Sequence, residues 1–208
     1  MAQFFTIYPQ NPNPRLIRQA VDILRSGGLV VYPTDSSYAL SCRLEDKDAI
    51  GRIRAIRQLD EQHLMTLMCR DLSEISRYAR VDNNKFRLLK ANTPGNYTFI
   101  LDATKEVPRR LQHPKRSTIG IRIPDHPVAL ALLEEMGEPL LSSTLILPDE
   151  DWPLTDAEFI REVLEKKVEA VIDGGPVGLD FTTVIDLTGD DPVLLRAGKG
   201  PLAPFGLA

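Results

Sequence analysis

Thr34, Ser36, Ser37 and Tyr38 follow directly on Pro33 and the apolar run Leu29-Val30-Val31-Tyr32. Hydroxyls at the end of a buried strand are placed to donate to carboxylate or phosphate oxygens, because ligands of open α/β sheets sit where strands end. Tyr38 adds an aromatic wall with a hydroxyl. Asp35 reads as a turn-shaping acceptor rather than a base, and the whole segment also suits an ordinary proline-initiated turn.

Four further places carry the same chemistry. Arg52, Arg54 and Arg57 fall on one helical stretch, and Arg54 and Arg57 are three apart, so they can share a side. Guanidinium groups suit two-point capture of phosphate or carboxylate; ion pairs to Asp60 or Glu61 are the competing account. Arg122 alternates with Ile119, Ile121 and Ile123, which puts it on the opposite strand face together with Gly120. Gly120 leaves room for a ligand there. A buried charge needs a carboxylate, a ligand or solvent, so a ligand cleft and a structural salt bridge both satisfy Arg122. Ser142, Ser143 and Thr144 interrupt an apolar run from Leu140 to Leu147, and at least one must face inward with a partner. Arg196, Gly198 and Gly200 either close over an anion or form a mobile tail.

Other chemistries are absent from the pattern. His63, His113 and His126 lack metal-ligand spacing, so no metal site is expected. There is no Walker loop or Rossmann fingerprint, and no G-x-S-x-G elbow or cysteine–histidine pairing for covalent catalysis. Cys42 and Cys69 have neither disulfide density nor metal spacing; they read as small buried hydrophobes, and a cytoplasmic, reducing setting is expected. The start of the chain does not read as a secretory signal, and no apolar stretch is long enough to span a membrane.

The 208 residues carry a net charge of -4, which argues against non-specific nucleic-acid binding. The charge is unevenly distributed. Residues 105–122 hold six Lys/Arg against Glu106, and residues 134–169 hold eleven acids against three basic residues. A local positive surface can still focus an anion. Arg52, Arg109, Arg110, Lys115 and Arg116 are therefore candidate nucleic-acid contacts; two solvated stretches of opposite sign are the plainer account.

These residues need elements to hold them. Asn13-Pro14 starts a helix that Gly27-Gly28 ends. Asp46, Asp71 and Asp82 are expected helix caps. Strands are expected at Leu29–Tyr32, Leu64–Cys69, Asn96–Leu101, Ser117–Ile123, Leu140–Leu147, Ala170–Ile172, Thr182–Leu187 and Val193–Arg196. Residues 105–116 read as a polar loop. A helix covers Pro127–Met136, and Thr155 with Glu158 predicts a capping box for another that runs to about Lys167. Alternating helices and strands followed by clustered strands imply an α/β fold with a twisted mixed (parallel/antiparallel) sheet and flanking helices. One domain over residues 1–208, with its core at about 13–200, accommodates all of them.

Several segments, in this order, resemble a known family. They are Gly27-Gly28, Pro33-Thr34-Asp35-Ser36-Ser37-Tyr38-Ala39-Leu40, Thr93 to Thr98 and Thr118 to Pro124. Pro139 to Ser143, Thr182 to Asp186 and Leu195-Arg196-Ala197-Gly198 complete the series. The chain resembles the YciO branch of the YrdC-like threonylcarbamoyl-adenylate synthase family over essentially its whole length. The resemblance implies a large concave basic cleft. It also implies a reaction that joins L-threonine, bicarbonate and ATP (with Mg2+ on the ATP), releases pyrophosphate, and serves tRNA t6A modification. Binding of tRNA or double-stranded RNA is a further implied partner class.

Residue by residue, the resemblance assigns Thr34, Tyr38, Arg122 and Ser143 to the substrate, Arg57, Ser142, Thr144 and Arg196 to the nucleotide, and Arg57 with Arg54 to catalysis. Three departures stand out. The lysine of the family's Lys-x-Arg motif falls on Ala55, its Ser-Ala-Asn on Thr144-Leu145-Ile146, and a substrate-side histidine near Met68. They imply feeble synthase activity. A non-catalytic RNA-binding protein and a regulatory binder of nucleotide or amino acid are the alternatives.

Overall fold

Capping side chains set where the helices begin. In this computed structural model, which describes residues 1–207, Asn13 Oδ1 accepts from the Arg15 and Leu16 amides, and Pro14 occupies the first turn of α1 (Pro14–Arg25). Ile17, Ala20, Val21 and Leu24 form its buried stripe, at the spacing an amphipathic helix requires. Asp46 caps α2 (Lys47–Arg57), Asp71 caps α3 (Leu72–Tyr78) and Asp82 caps α4 (Asn83–Asn92), each as the sequence predicts. Gly137, in the left-handed region, ends α5 (Pro127–Met136).

The cap of α6 (Ala157–Leu164) is a correction. Asp156, not Thr155, accepts from the Phe159 amide at 2.7 Å, and the helix ends short of Lys167. Asp competes at least as well as Thr for that position.

The strands are β1 (Gln3–Thr6), β2 (Val30–Pro33), β3 (Tyr38–Arg43), β4 (Thr66–Met68), β5 (Tyr97–Asp102) and β6 (Thr118–Arg122). β7 (Leu140–Thr144), β8 (Ala170–Asp173), β9 (Thr183–Asp186) and β10 (Val193–Arg196) complete the set. Neither β1 nor β3 is expected from the sequence. β3 is buried along nearly its whole length, but Ser41 and Arg43 interrupt the apolar run that marks a strand buried on both faces. The apolar run at 140–147 leaves the sheet at Thr144, where the Leu145 amide turns to the Tyr38 carbonyl. Residues 105–116 contain a short 3-10 turn at Arg109–Leu111.

All ten strands join one sheet in the order β1-β8-β2-β3-β7-β4-β6-β5-β9-β10. It contains parallel pairs (β1 with β8, β4 with β6, β5 with β9) and antiparallel ones (β2 with β3, β3 with β7, β5 with β6). The sheet is mixed, with helices on both faces. One face packs Leu40, Leu67, Phe99, Ile119 and Ile121 against Ile53 and Ile56 of α2, Ile75 of α3 and Leu89 of α4. On the other face, α1 and α5 cover only part of the sheet. They bury Val30, Tyr32, Ala39, Leu140 and Met68 with Ala170 and Ile172.

Beyond Met68 and Leu140 that second face has no helical cover. Strand register says what it presents. Thr66 lies opposite both Gly120 and Ser142, Gly120 opposite Ile100, and Thr98 opposite Val184. The uncovered floor is therefore built from hydroxyl, glycine and short apolar residues. No helix among the described residues is long and apolar enough to cross a membrane.

Candidate functional site

The uncovered floor is the base of a cavity of about 410 Å³, within the usual range for small-molecule sites. Thr66, Thr98, Thr118, Gly120, Ser142 and Thr144 line it from the sheet, with Ile100 and Val184 as apolar filling. A Cβ on Gly120 would meet the Thr98 and Ile100 side chains at 3.4 and 3.5 Å, so any larger side chain would fill the floor. The walls bring in Thr34, Ser37 and Tyr38 from the β2–β3 turn, Arg57 from α2, His63 and Leu64 from the loop after it, and Phe181 and Arg196 from the C-terminal strands. Thr34, Tyr38, Arg57, Arg122, Ser142, Ser143, Thr144 and Arg196 thus share one hollow, although their sequence positions span residues 34 to 196.

The β2–β3 turn is tied by Thr34, whose Oγ1 donates to the Ser37 carbonyl at 2.6 Å and accepts from the Ser36 and Ser37 amides at 3.2 Å. Asp35 is released from the turn-shaping role expected of it. Its carboxylate instead pairs with Arg122, with both side chains almost wholly buried. Arg122 Nη1 donates to Ser36 Oγ at 3.0 Å, while its buried Nε has no partner among the described residues. Turned amide-nitrogen inward, Asn96 donates to Asp35 Oδ2 and to the Asp35 carbonyl at 3.1 Å. Lys199 Nζ reaches that carbonyl at 2.8 Å. Burial pushes the Asp35 carboxyl upward, against the pull of Arg122. Burial likewise lowers the Arg122 guanidinium, which stays charged at neutral pH. Of the two accounts the sequence offers for Arg122, the structure shows the salt bridge, and the same residue also lines the cavity.

Arg57 comes round the end of β7 from the opposite sheet face. Its Nε donates to the Ile146 carbonyl at 3.2 Å and its Nη1 to Ser143 Oγ at 2.5 Å. Ser143 points that way because it alternates with Ser142 and Thr144, which face the floor. No carboxylate among the described residues pairs with Arg57, and burial alone lowers its guanidinium. Arg196 also has no carboxylate partner among the described residues. It donates to Thr182 through Nε and Nη2 and stacks on the Phe181 ring at 5.2 Å. Its neighbours leave no slack: a Cβ on Gly198 would come within 2.4 Å of the Phe181 carbonyl, and one on Gly200 within 2.4 Å of the Tyr97 ring. The 196–200 segment thus packs closely against Phe181, Thr182 and Tyr97. Tyr38 donates to the Gly175 carbonyl at 2.9 Å, and burial pushes its hydroxyl up to about 12.

Arg54 does not join the site. Both its bonds go to the carbonyls of Asp60 and His63, where it pins the loop after α2. Three residues along a helix are about 60° short of a full turn, enough to send Arg54 to the loop while Arg57 faces the hollow. Three of the expected nucleic-acid contacts are engaged within the protein. Arg52 pairs with Glu169, Arg116 with Asp186, and Arg110 donates to the Glu45 carbonyl. Arg109 and Lys115 are exposed. Sequence reasoning overlooks His63, which lines the cavity beside Arg57 with its ring below the usual histidine range, first through burial and then through Arg57 and Arg54. Its place in a polar loop gives no periodicity to find it by.

Fold and site together define an α/β protein whose mixed sheet floors a basic, hydroxyl-lined pocket. The model of the Sua5, YciO and YrdC proteins, described as "Telomere recombination", matches residues 22–198, and the chain belongs to that family. It is 60% identical to YciO of Escherichia coli strain K12, over 99% of this chain and 100% of that protein. The crystal structure of E. coli YciO superposes with a TM-score of 0.94, covering 99% of this chain and 100% of that one. A threonylcarbamoyl-AMP synthase of Bacillus subtilis is 31% identical over 89% of this chain and 54% of its own length. The structure of Pyrococcus abyssi Sua5 complexed with L-threonine has a TM-score of 0.88 at 28% identity, over 96% of this chain and 58% of that one.

Proposed function

We propose that the cavity binds L-threonine and Mg-ATP, and that the protein makes threonylcarbamoyl-adenylate slowly. The threonine amine adds to the carbon of bicarbonate-derived CO2 and loses a proton, giving a carbamate. A carbamate oxygen then attacks the α-phosphorus of ATP, and pyrophosphate leaves. The observation that carries this reading is Arg57: a half-buried guanidinium with no carboxylate partner, aimed into the same hollow as Arg122 and Arg196. An unpaired buried charge is costly unless an anion completes it.

In this reading Arg122 holds the threonine carboxylate, and Arg57 and Arg196 meet phosphate oxygens as charge moves onto them. Ser143, already bonded to Arg57, orients the reacting groups, and Tyr38 forms an aromatic wall. Mg2+ enters on the triphosphate, because the cavity wall offers hydroxyls and guanidinium groups rather than carboxylates. Much of the rate comes from positioning.

The slow rate follows from chemistry missing at three places. Ala55 is an exposed methyl on α2. Met68 puts a thioether into the cavity, and Ile146 puts an alkyl chain there. Each charged hydrogen bond missing from a transition state costs about 2–4 kcal/mol, or roughly 30- to 1000-fold in rate. The test is pyrophosphate release from Mg-ATP at high enzyme concentration. Release that requires both threonine and bicarbonate supports the reading. Release indifferent to either, or none at all, removes it. RNA binding has less support, since Arg52 and Arg116 are paired with carboxylates.

A further inference from the structure

Behind the cavity wall, three strands contribute three hydroxyls that touch one another. Ser41 Oγ of β3 donates to Tyr32 Oη of β2 at 3.0 Å. Tyr32 Oη lies 3.1 Å from Ser142 Oγ of β7, and Ser142 Oγ also contacts Ser41 Oγ. A hydroxyl owns one proton and two lone pairs. Ser41 spends its proton on Tyr32, so the bond between the serines must use the proton of Ser142. The bond between Ser142 and Tyr32 must then use the proton of Tyr32. The ring runs one way: Ser41 to Tyr32, Tyr32 to Ser142, Ser142 to Ser41. Tyr32 and Ser41 are 0% exposed and Ser142 is 3% exposed, so the three must satisfy one another.

Only Ser142 of the three lines the cavity, and the ring leaves it one free lone pair and no proton for that space. Carboxylate and phosphate oxygens gain nothing from such a group. An N–H does. We propose that Ser142 accepts from the amino group of the amino-acid ligand, and that Tyr32 and Ser41 are positioning residues that fix it as an acceptor. This rests on the amino-acid reading of the cavity and moves Ser142 from the nucleotide to the amine.

The geometry supplies the other end of the ligand. Ser142 lies level with Thr66 and Gly120, and Arg122 is two residues further along the same face of β6. The Tyr32 oxygen is within electrostatic reach of Arg122. A carboxylate on Arg122 and an amine on Ser142 would lay an α-amino acid across β4, its carbamate-forming nitrogen held by an acceptor that cannot compete for the proton.

Calorimetric titration of the full chain tests this with L-threonine and with 3-hydroxybutyrate, which is threonine without its amine. The wild type is expected to prefer threonine by about 10- to 100-fold, the worth of a charged hydrogen bond. In Tyr32→Phe and in Ser41→Ala the ring opens and frees a proton that Ser142 can turn toward the ligand. The preference is then expected to fall on the order of 5-fold, with binding of 3-hydroxybutyrate unchanged or tighter. Ser41→Thr keeps a hydroxyl and should keep the preference. Equal weakening of both ligands would mean a merely structural role and would overturn the proposal, as would an unchanged ratio in either variant that melts like the wild type. Failure of the wild type to bind threonine at all would remove the amino-acid reading itself, and this inference with it.

Discussion

Arg57 Nη1 lies 2.5 Å from Ser143 Oγ, joining the last turn of α2 to the hydroxyl run of β7 across 86 residues of sequence. The contact fixes one edge of the guanidinium and leaves its remaining N–H groups for the cavity. Helix, strand and pocket wall are thereby joined, and the guanidinium is already oriented at the cavity.

Replacing Arg57 follows from that contact. Arg57→Ala is expected to lower threonine-dependent pyrophosphate release by roughly 30- to 1000-fold. Arg57→Lys should recover little, because an ammonium cannot hold the Ile146 carbonyl and Ser143 while also facing phosphate. Steady-state rates at saturating ATP are the check, and wild-type turnover in Arg57→Ala would contradict the assignment.

Arg122 is expected to serve both the proposed binding and stability. Arg122→Ala strips the buried Asp35 carboxylate of its partner, a change that costs about 3–5 kcal/mol when the ions are buried. Urea unfolding should show the loss. Adding Asp35→Asn should restore part of it, since a neutral amide is cheaper to bury, while threonine affinity stays low in both variants. Equal stability of the single and double variants would argue against the ion pair.

His63 gives a pH signature. Its folded value is lowered, so the fold favours the neutral ring. Below the unfolded value of about 6.5 the unfolded chain takes up the proton more readily, and His63 subtracts from stability as pH falls through that point. The subtraction is complete below the folded value and absent well above 6.5. An anion bound beside Arg57 should raise the ring's titration midpoint toward 6.5. Histidine proton shifts measured with and without a non-hydrolysable ATP analogue report this directly; a midpoint unmoved by a bound analogue would separate His63 from the anion site.

The cysteines should be silent. Cys42 and Cys69 are buried and free, and burial pushes the Cys42 thiol up to about 12 and Cys69 well above its usual value. With so little thiolate, native protein at pH 8 should resist iodoacetamide and react at both sites once unfolded. Rapid native labelling, followed by mass spectrometry, would place one of them nearer solvent.

The sequence reads well where local physics decides. Helix caps at Asn13, Asp46, Asp71 and Asp82 are side-chain contacts within three residues, and the Arg122–Gly120 alternation places both on the cavity face. It reads poorly where register decides. β3 is buried on both faces, yet Ser41 and Arg43 break the apolar run that marks a buried strand. Asp35 resembles any turn aspartate until β6 brings Arg122 to it. The hydroxyl ring needs three strands aligned before Tyr32, Ser41 and Ser142 become neighbours. Arg54 and Arg57 look equivalent at helical spacing, yet the chain reversal after α2 spends one on loop carbonyls and leaves the other to the pocket.

The most direct measurement is the product itself. Concentrated protein incubated with L-threonine, 13C-bicarbonate, Mg-ATP and pyrophosphatase should yield threonylcarbamoyl-adenylate carrying the carbon label, detected by mass spectrometry and lost in Arg57→Ala and Arg122→Ala. Absence of labelled product, under conditions where a threonylcarbamoyl-AMP synthase such as the Bacillus subtilis relative makes it readily, would contradict the account.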